Sequence, residues 1–159
     1  MKEETENFLR EGMGRYKQAT EVMLSFSNEL ESILQQILKQ RKNWGPFIPN
    51  KGTKATKGSR NWSQYPAHGG RIDGKMNESN SFIGIEVNWY QSETDYPFYS
   101  IFIIPDDQYK KNFLNYKWSD KFEAHTHRLR FYPDPDDFNP ERDFNLLIDE
   151  FVRFLNATK

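Results

Sequence analysis

The sequence contains no cysteine. Disulfide bonds, zinc sites built on thiolates and thiol nucleophiles are therefore excluded, and the composition agrees with a reducing compartment. No apolar run approaches the ~18 residues needed to span a bilayer, and the acidic, polar start from Met1 to Asn7 lacks the apolar region of a signal peptide. We therefore expect a cytoplasmic protein with no membrane partner.

The sequence patterns of several enzyme classes are also missing. It has no phosphate-binding Gly-x-x-x-x-Gly-Lys-Ser/Thr, no Gly-x-Ser-x-Gly, no dinucleotide fingerprint and no His-Glu-x-x-His. Hydrolase, Rossmann and zincin interpretations therefore lack support. We expect no cofactor, and a binding protein rather than an enzyme is the leading interpretation.

What the chain does have is aromatic residues, 25 among 159. A chain of this length fits one domain, residues 1–159, and large aromatic side chains can supply its core. Eighteen of the aromatics lie between Trp44 and Tyr132. They can form a bulky core or an exposed binding face, and both interpretations stay open.

A long amphipathic helix is predicted near the start of the chain. Apolar residues alternate three and four apart at Tyr16, Ala19, Met23, Phe26, Leu30, Ile33 and Ile37. A helix over residues 3–43 would be about 60 Å long, so it either protrudes from the domain or breaks. We favour a break at Gly12 and Gly14, where glycine weakens a helix. The stripe can pack on the protein's own sheet, or the helix over residues 16–38 can join two protomers as a homodimer.

Strand patterns follow at residues 61–65, 82–90, 98–104 and 121–132, with a short helix after Pro105. A closing helix begins at Pro140, with Asn139 as its N-cap. The expected fold is α+β: a long N-terminal helix, a mostly antiparallel sheet of about four strands, and a C-terminal helix packed on the sheet.

Positive charge is concentrated in one stretch. Residues 39–75 hold nine basic residues and one acid, although the whole chain has a net charge of −1. Three of these residues, Lys39, Arg41 and Lys42, lie at the C-terminal end of the first predicted helix, where positive charge complements the helix dipole. The remainder is expected in a flexible loop, residues 49–60, beside three aromatics, of which Trp44 precedes it. The predicted anion-binding residues are Lys51, Lys54, Lys57, Arg60, Trp62 and Tyr65. The leading hypothesis is contact with nucleic acid or an acidic protein surface; the alternative is a solvated loop without a ligand.

Two histidines, His125 and His127, stand two apart on the predicted strand over residues 121–132. On one strand both rings would share a face with Glu123, and His68 is the remaining imidazole. They could bind a metal or transfer a proton, or they could be partly exposed strand residues. The last interpretation is the plainest, so no metal site is assigned.

Asp73 and the sequence Glu86-Val87-Asn88 loosely resemble the Asp and Glu-x-Lys pattern of metal-dependent restriction-type nucleases. Asn88 occupies the lysine position, and Asp73 is expected in a glycine-flanked loop. The resemblance implies a metal-dependent nuclease or phosphodiesterase as the alternative function. A third alternative is an oligomerisation module built on the long helix. A carboxylate cluster at Asp134, Asp136 and Asp137 is better explained by entry into the closing helix than by calcium binding.

Overall fold

The described part of the chain, residues 2–41, 44–50, 69–76, 80–88, 98–125 and 127–159 of a computed structural model, is an α+β fold. Its helices and strands follow one another as α1 Glu3–Gln40, β1 Phe47–Pro49, β2 Gly69–Met76, β3 Phe82–Asn88, β4 Phe98–Ile104, a 3-10 turn Asp107–Tyr109, α2 Lys110–Phe113, β5 Glu123–His125, β6 Arg128–Phe131 and α3 Pro140–Ala157.

The six strands form one antiparallel sheet in the order β1-β2-β3-β4-β6-β5. Strand β4 lies inside the sheet, and Ile101, Phe102 and Ile103 within it are fully buried. Because side chains alternate along a strand, neighbouring residues in β4 serve opposite faces of the sheet. One face packs against α1 and α3 and forms the core.

Helix α1 is continuous over 38 residues, so the predicted break at Gly12 and Gly14 is wrong. A Cβ added at either glycine would meet nothing within 4 Å. The first part of the helix extends past the core, and this protrusion resolves the conflict between helix length and domain size. Its C-terminal third packs inside the domain through Leu30, Leu34, Ile37 and Leu38. For this third, packing on the protein's own sheet is confirmed.

Helix α3 closes the domain, as its periodicity predicts. Asn139 Oδ1 accepts from the backbone N–H of Arg142 at 2.9 Å, and Pro140 is the first helical residue. The buried face of the helix is Phe144, Leu147, Ile148, Phe151 and Phe154. A polar link ties α3 to the end of α1: Arg41 Nη2 donates to Asn145 Oδ1 at 2.6 Å and lies 2.8 Å from Asp149 Oδ1. The two helices therefore form one layer against the sheet.

The predicted four-strand sheet is incomplete. Strands β1 and β2 lie where no strand was expected, and Asp73 belongs to β2 rather than to a loop. Gly74 explains how the pair fits together, since a Cβ there would overlap the ring of Phe47. The predicted strand over residues 61–65 lies outside the described residues.

The single strand predicted over residues 121–132 is wrong. It is a hairpin in which His125 pairs with Arg128 and Ala124 pairs with Leu129. The chain reverses between His125 and Arg128, so His127 lies in the turn and Leu129 faces the core, while Glu123 and His125 face away from it. No helix of the described part is both long enough and apolar enough to cross a membrane.

Candidate functional site

The candidate site is the sheet face opposite α1 and α3, here called the polar face. In β2, β3, β4 and β6 the residues of this face alternate with the buried core residues, as the strand period requires. The register brings Arg71 opposite Glu86, Glu86 opposite Ser100, and Phe102 opposite Arg130. The residues that define the polar face are Arg71, Asp73, Glu86, Ser100, Phe102, Arg128 and Arg130.

Glu86 is the centre of the polar face. Arg128 Nη1 donates to its Oε1 at 2.7 Å, and Arg130 Nη2 donates to its Oε2 at 3.3 Å. Arg71 Nη1 lies 4.0 Å from Oε1 on the opposite side. The Glu86 side chain is 32% exposed, so these ion pairs are only partly screened by water.

Asp73 is bound by Arg71 of its own strand. Arg71 Nε donates to Asp73 Oδ2 at 2.8 Å, and a second, shorter contact comes from Arg71 Nη2. Asp73 is 1% exposed, whereas the guanidinium that pairs with it remains partly exposed. Gly84 faces Asp73 in the register, and a Cβ at Gly84 would overlap the Ile72 carbonyl oxygen and the Asp73 side chain. The close approach of β2 and β3 therefore depends on glycine at this point.

An aromatic ring organises the arginines. The guanidinium carbons of Arg71 and Arg128 lie 4.7 and 4.6 Å from the ring centroid of Phe102. Such cation–π contacts are each worth roughly 0.5–2 kcal/mol, depending on how far the cation is desolvated. Phe102 is fully buried although it points away from the helices. The ring and the two carboxylates hold the guanidinium groups in place.

Two further aromatics lie beside the arginines. The rings of Phe98 and Tyr132 are 5.5 Å apart, and Arg130 Nη1 lies 3.4 Å from the Tyr132 hydroxyl oxygen. Phe82, on the same face of β3, is 36% exposed. The polar face therefore combines ordered cations with accessible aromatic edges.

Among the described residues the charge balance of the polar face is positive, because three arginines face two carboxylates. Adding Lys75 of β2 and Glu123 of β5, which occupy the same face, leaves the sign unchanged. The predicted carboxylates Asp73 and Glu86 are thus brought together on one face of neighbouring strands, each bound by arginine.

The two predicted histidines do not share one strand, because His125 is the last residue of β5 and His127 lies in the hairpin turn. His125 Nε2 lies 3.2 Å from Glu123 Oε2, and both side chains are more than half exposed. All six predicted anion-binding residues and the third histidine lie outside the described residues: Lys51, Lys54, Lys57, Arg60, Trp62, Tyr65 and His68. Within the ranges that the structure describes, no group of three or more His, Asp or Glu residues could hold a metal ion.

The acidic turn before α3 acts locally. Arg142 Nη1 donates to Asp137 Oδ2 at 2.9 Å, and Arg142 Nε donates to Asp143 Oδ1 at 2.7 Å. These carboxylates raise the pKa of the Arg142 guanidinium. A hydrogen bond with Asp134 raises the pKa of the Asp136 carboxyl. The contacts fit the predicted role in helix entry.

Sequence reasoning missed Arg128, Arg130 and Phe102. The pattern Arg128-Leu129-Arg130-Phe131 alternates polar and apolar residues, as does Arg71-Ile72-Asp73, so each segment carried a strand signal. The sequence alone does not reveal the strand order, in which β6 lies two strands from β3. Comparisons of the chain with protein-family models, with curated proteins and with solved structures return no match.

Proposed function

We propose that the protein is a small binding protein that engages an anionic partner, and that the polar face forms part of the contact surface. The main support for this proposal is the positive cluster of Arg71, Arg128 and Arg130, whose guanidinium groups are oriented by Glu86 and Phe102. Guanidinium groups donate two parallel hydrogen bonds to phosphate or carboxylate. Groups that are ordered before binding lose less side-chain entropy when the ligand arrives.

Single-stranded nucleic acid is the partner that this surface fits best. Its phosphates match the arginines, and its bases can stack on the exposed Phe82 and on the half-buried Phe98–Tyr132 pair. The basic loop over residues 49–60 follows β1 and precedes β2 along the chain, so its charges belong to the connection between two strands of the same sheet. An acidic protein surface is the alternative partner with the same charge requirement.

The test is binding of labelled single- and double-stranded oligonucleotides, followed by fluorescence anisotropy across salt concentration. We expect affinity to fall steeply with salt, and a variant that makes one phosphate contact fewer to have a slope of log K against log salt that is shallower by about 1. Arg130→Gln, and separately Lys51, Lys54 and Lys57 changed together to Ala, should weaken binding.

A matched control removes three lysines from a different part of the surface: Lys110→Gln, Lys111→Gln and Lys117→Gln. These positions are exposed and lie after β4, away from the polar face. If the control weakens binding as much as the loop variant does, only general charge is involved. Absence of salt-dependent binding to any oligonucleotide would reject nucleic acid and leave the acidic protein.

A metal-dependent nuclease or phosphodiesterase is the second proposal, with Asp73 and Glu86 as its residues, or the His125 and His127 pair. One observation favours the carboxylate version, since both carboxylates lie on the same face of adjacent strands. A bound cation would have to displace the arginines that pair with these carboxylates. Calorimetry and nuclease assays with Mg²⁺, Mn²⁺, Ca²⁺ and Zn²⁺ test this proposal. The proposal is rejected if none of these ions binds to the protein and none activates it.

A further inference from the structure

The first 24 residues of α1, residues 3–26 and here called the overhang, carry large apolar side chains that face solvent. Phe8 is 74% exposed, Leu9 55%, Met13 57% and Val22 53%. Ser27 is the first buried side chain along the described part of the helix. Single exposed apolar residues are ordinary on a protein surface. Here they are grouped on a helix that contributes little to the core.

The overhang continues the stripe that packs inside the domain. Leu30, Ile33 and Ile37 alternate three and four apart against the sheet. The same spacing runs backward through Phe26 and reaches Leu9 without a change of phase, at sequence positions 9, 12, 16, 19, 23 and 26. A seven-residue period of this kind is the pattern of a helix that packs on another helix. The C-terminal part of this apolar stripe packs inside the domain, and the N-terminal part extends beyond it.

The charges on the overhang indicate what covers it. Its first turn is acidic, with Glu3, Glu4 and Glu6, whereas Arg15 and Lys17 follow three turns later. Two parallel copies would place both acidic turns side by side. Two antiparallel copies that cross near residues 10 and 11 would place each acidic turn beside the basic turns of the other copy.

The same crossing matches the apolar positions. Leu9 of one copy lies level with Gly12 of the other, and a Cβ at Gly12 would meet no atom within 4 Å. Glycine lets the two helix backbones approach, and leucine can fill the space between them. Phe8 and Met13 flank the crossing within about one turn. We propose that the overhang is a self-association surface on which a second copy of this chain packs in the antiparallel direction.

The dimer is weak and reversible. Residues 3–18 of the two copies overlap over about 24 Å, which buries less surface than a standard stable interface of about 1,600 Å². The acidic first turn opposes anionic headgroups, so a membrane surface is the less suitable occupant. The surface is separate from the polar face, and the proposal does not depend on nucleic-acid binding.

Sedimentation equilibrium of the whole chain tests the association over roughly 5 µM to about 1 mM, the range in which weak complexes form. The average mass should rise with concentration from the monomer mass of 19.0 kDa toward twice that value. A Leu9→Gln, Met13→Gln variant should weaken association at least tenfold. Leu114→Gln and Leu146→Gln, at leucines that are 59% and 40% exposed elsewhere, should leave it unchanged. A wild-type mass independent of concentration would overturn the proposal.

Orientation has its own readout, because the chain offers no native cysteine to compete for a label. A spin label on Ser25→Cys should report a distance of about 43 Å along the axis for the antiparallel crossing, against about 10 Å for a parallel pair. Changing Glu3, Glu4 and Glu6 to Lys should weaken the dimer, and adding Arg15→Glu with Lys17→Glu should restore it. A short label distance, or no restoration, would overturn the antiparallel arrangement.

Discussion

Arg128 of β6 reaches over strand β4 to bind Glu86 of β3, with 2.7 Å between Nη1 and Oε1. The Arg128 guanidinium lies over the ring of Phe102, 4.6 Å from its centroid, and Ser100, opposite Glu86 in the register, is a small residue. Ion pairs on a sheet usually join adjacent strands, whereas this one spans two ladders. Glu86 therefore acts as an internal anion that compensates the arginines of the polar face.

Replacing Glu86 with Gln should have opposite effects on stability and on binding. The fold should lose about 1–2 kcal/mol of unfolding free energy, because the partly buried guanidiniums lose their counter-charge. Affinity for an anionic oligonucleotide should rise about fivefold, since glutamine keeps an acceptor oxygen that can orient the arginines but no longer competes for them as an anion. Urea unfolding and anisotropy at one salt concentration measure the two quantities.

Glu123→Gln is the matched control for that change. Glu123 carries the same charge on the same side of the sheet, but its described partner is the exposed His125 rather than an arginine. We expect unfolding free energy to change by less than about 0.5 kcal/mol. Weaker oligonucleotide binding by Glu86→Gln would contradict the role of Glu86 as a competing anion.

Gly84→Ala should destabilise the sheet. The added methyl group overlaps the Ile72 carbonyl oxygen and the Asp73 side chain, and backbone atoms cannot move aside as the end of a flexible side chain can. Overpacking of this kind costs about 1–3 kcal/mol. Chemical unfolding measures the loss, and amide hydrogen exchange in β2 and β3 should show that it is local. An unchanged unfolding midpoint would mean that the two strands separate more easily than their register suggests.

Changing Gly12 and Gly14 together to Ala should strengthen the overhang without affecting the domain. Each position is open, and alanine favours a helix over glycine by about 1 kcal/mol. Far-ultraviolet circular dichroism should show more helix, and the urea midpoint followed by tryptophan fluorescence should stay the same. Circular dichroism is best recorded at low concentration, where self-association does not contribute. A shifted midpoint would place part of the overhang in the cooperative core.

Tyr99→Phe should change how stability depends on alkaline pH. Burial raises the pKa of the Tyr99 phenol, which stacks on Phe138 with 4.2 Å between ring centroids. Above the ordinary value of 10.0 the unfolded chain releases this proton more readily than the folded protein does, so stability falls as pH rises. The variant lacks this loss. Its unfolding free energy relative to wild type should improve between about pH 8 and about pH 11, and a constant difference would exclude the effect.

The helices could be predicted from sequence because their signals are local. In α3, the Asn139 cap, Pro140 and the apolar spacing all describe the same segment, and the structure confirms it. In α1 the stripe was correct, but the expected break was wrong. Two glycines cost about 2 kcal/mol at most, and a helix that extends beyond the domain needs no break to fit. Domain size was therefore the wrong constraint to apply.

The sheet and its polar face were harder because they depend on contacts between distant segments. Strand β2 carries glycines and charges that are typical of a loop, and its strand conformation depends on pairing with β1 and β3. The β5–β6 turn has no glycine or proline to reveal it. Asp73 and Glu86 could be selected from sequence, but their arginine partners could not, because Arg128 and Arg130 meet Glu86 only after the hairpin reverses the chain.

Helix α1 is packed into the domain at its C-terminal end, whereas the overhang projects from the domain. Leu30, Leu34 and Leu38 fix one end in the core, and Arg41 ties that end to Asn145 and Asp149 of α3. The overhang extends about 36 Å from the buried end of α1, so a tilt of about 5° of the helix axis displaces the N-terminal end of the helix by about 3 Å. A small change in packing between α1 and α3 is therefore amplified at Phe8 and Leu9, far from the residues that cause it.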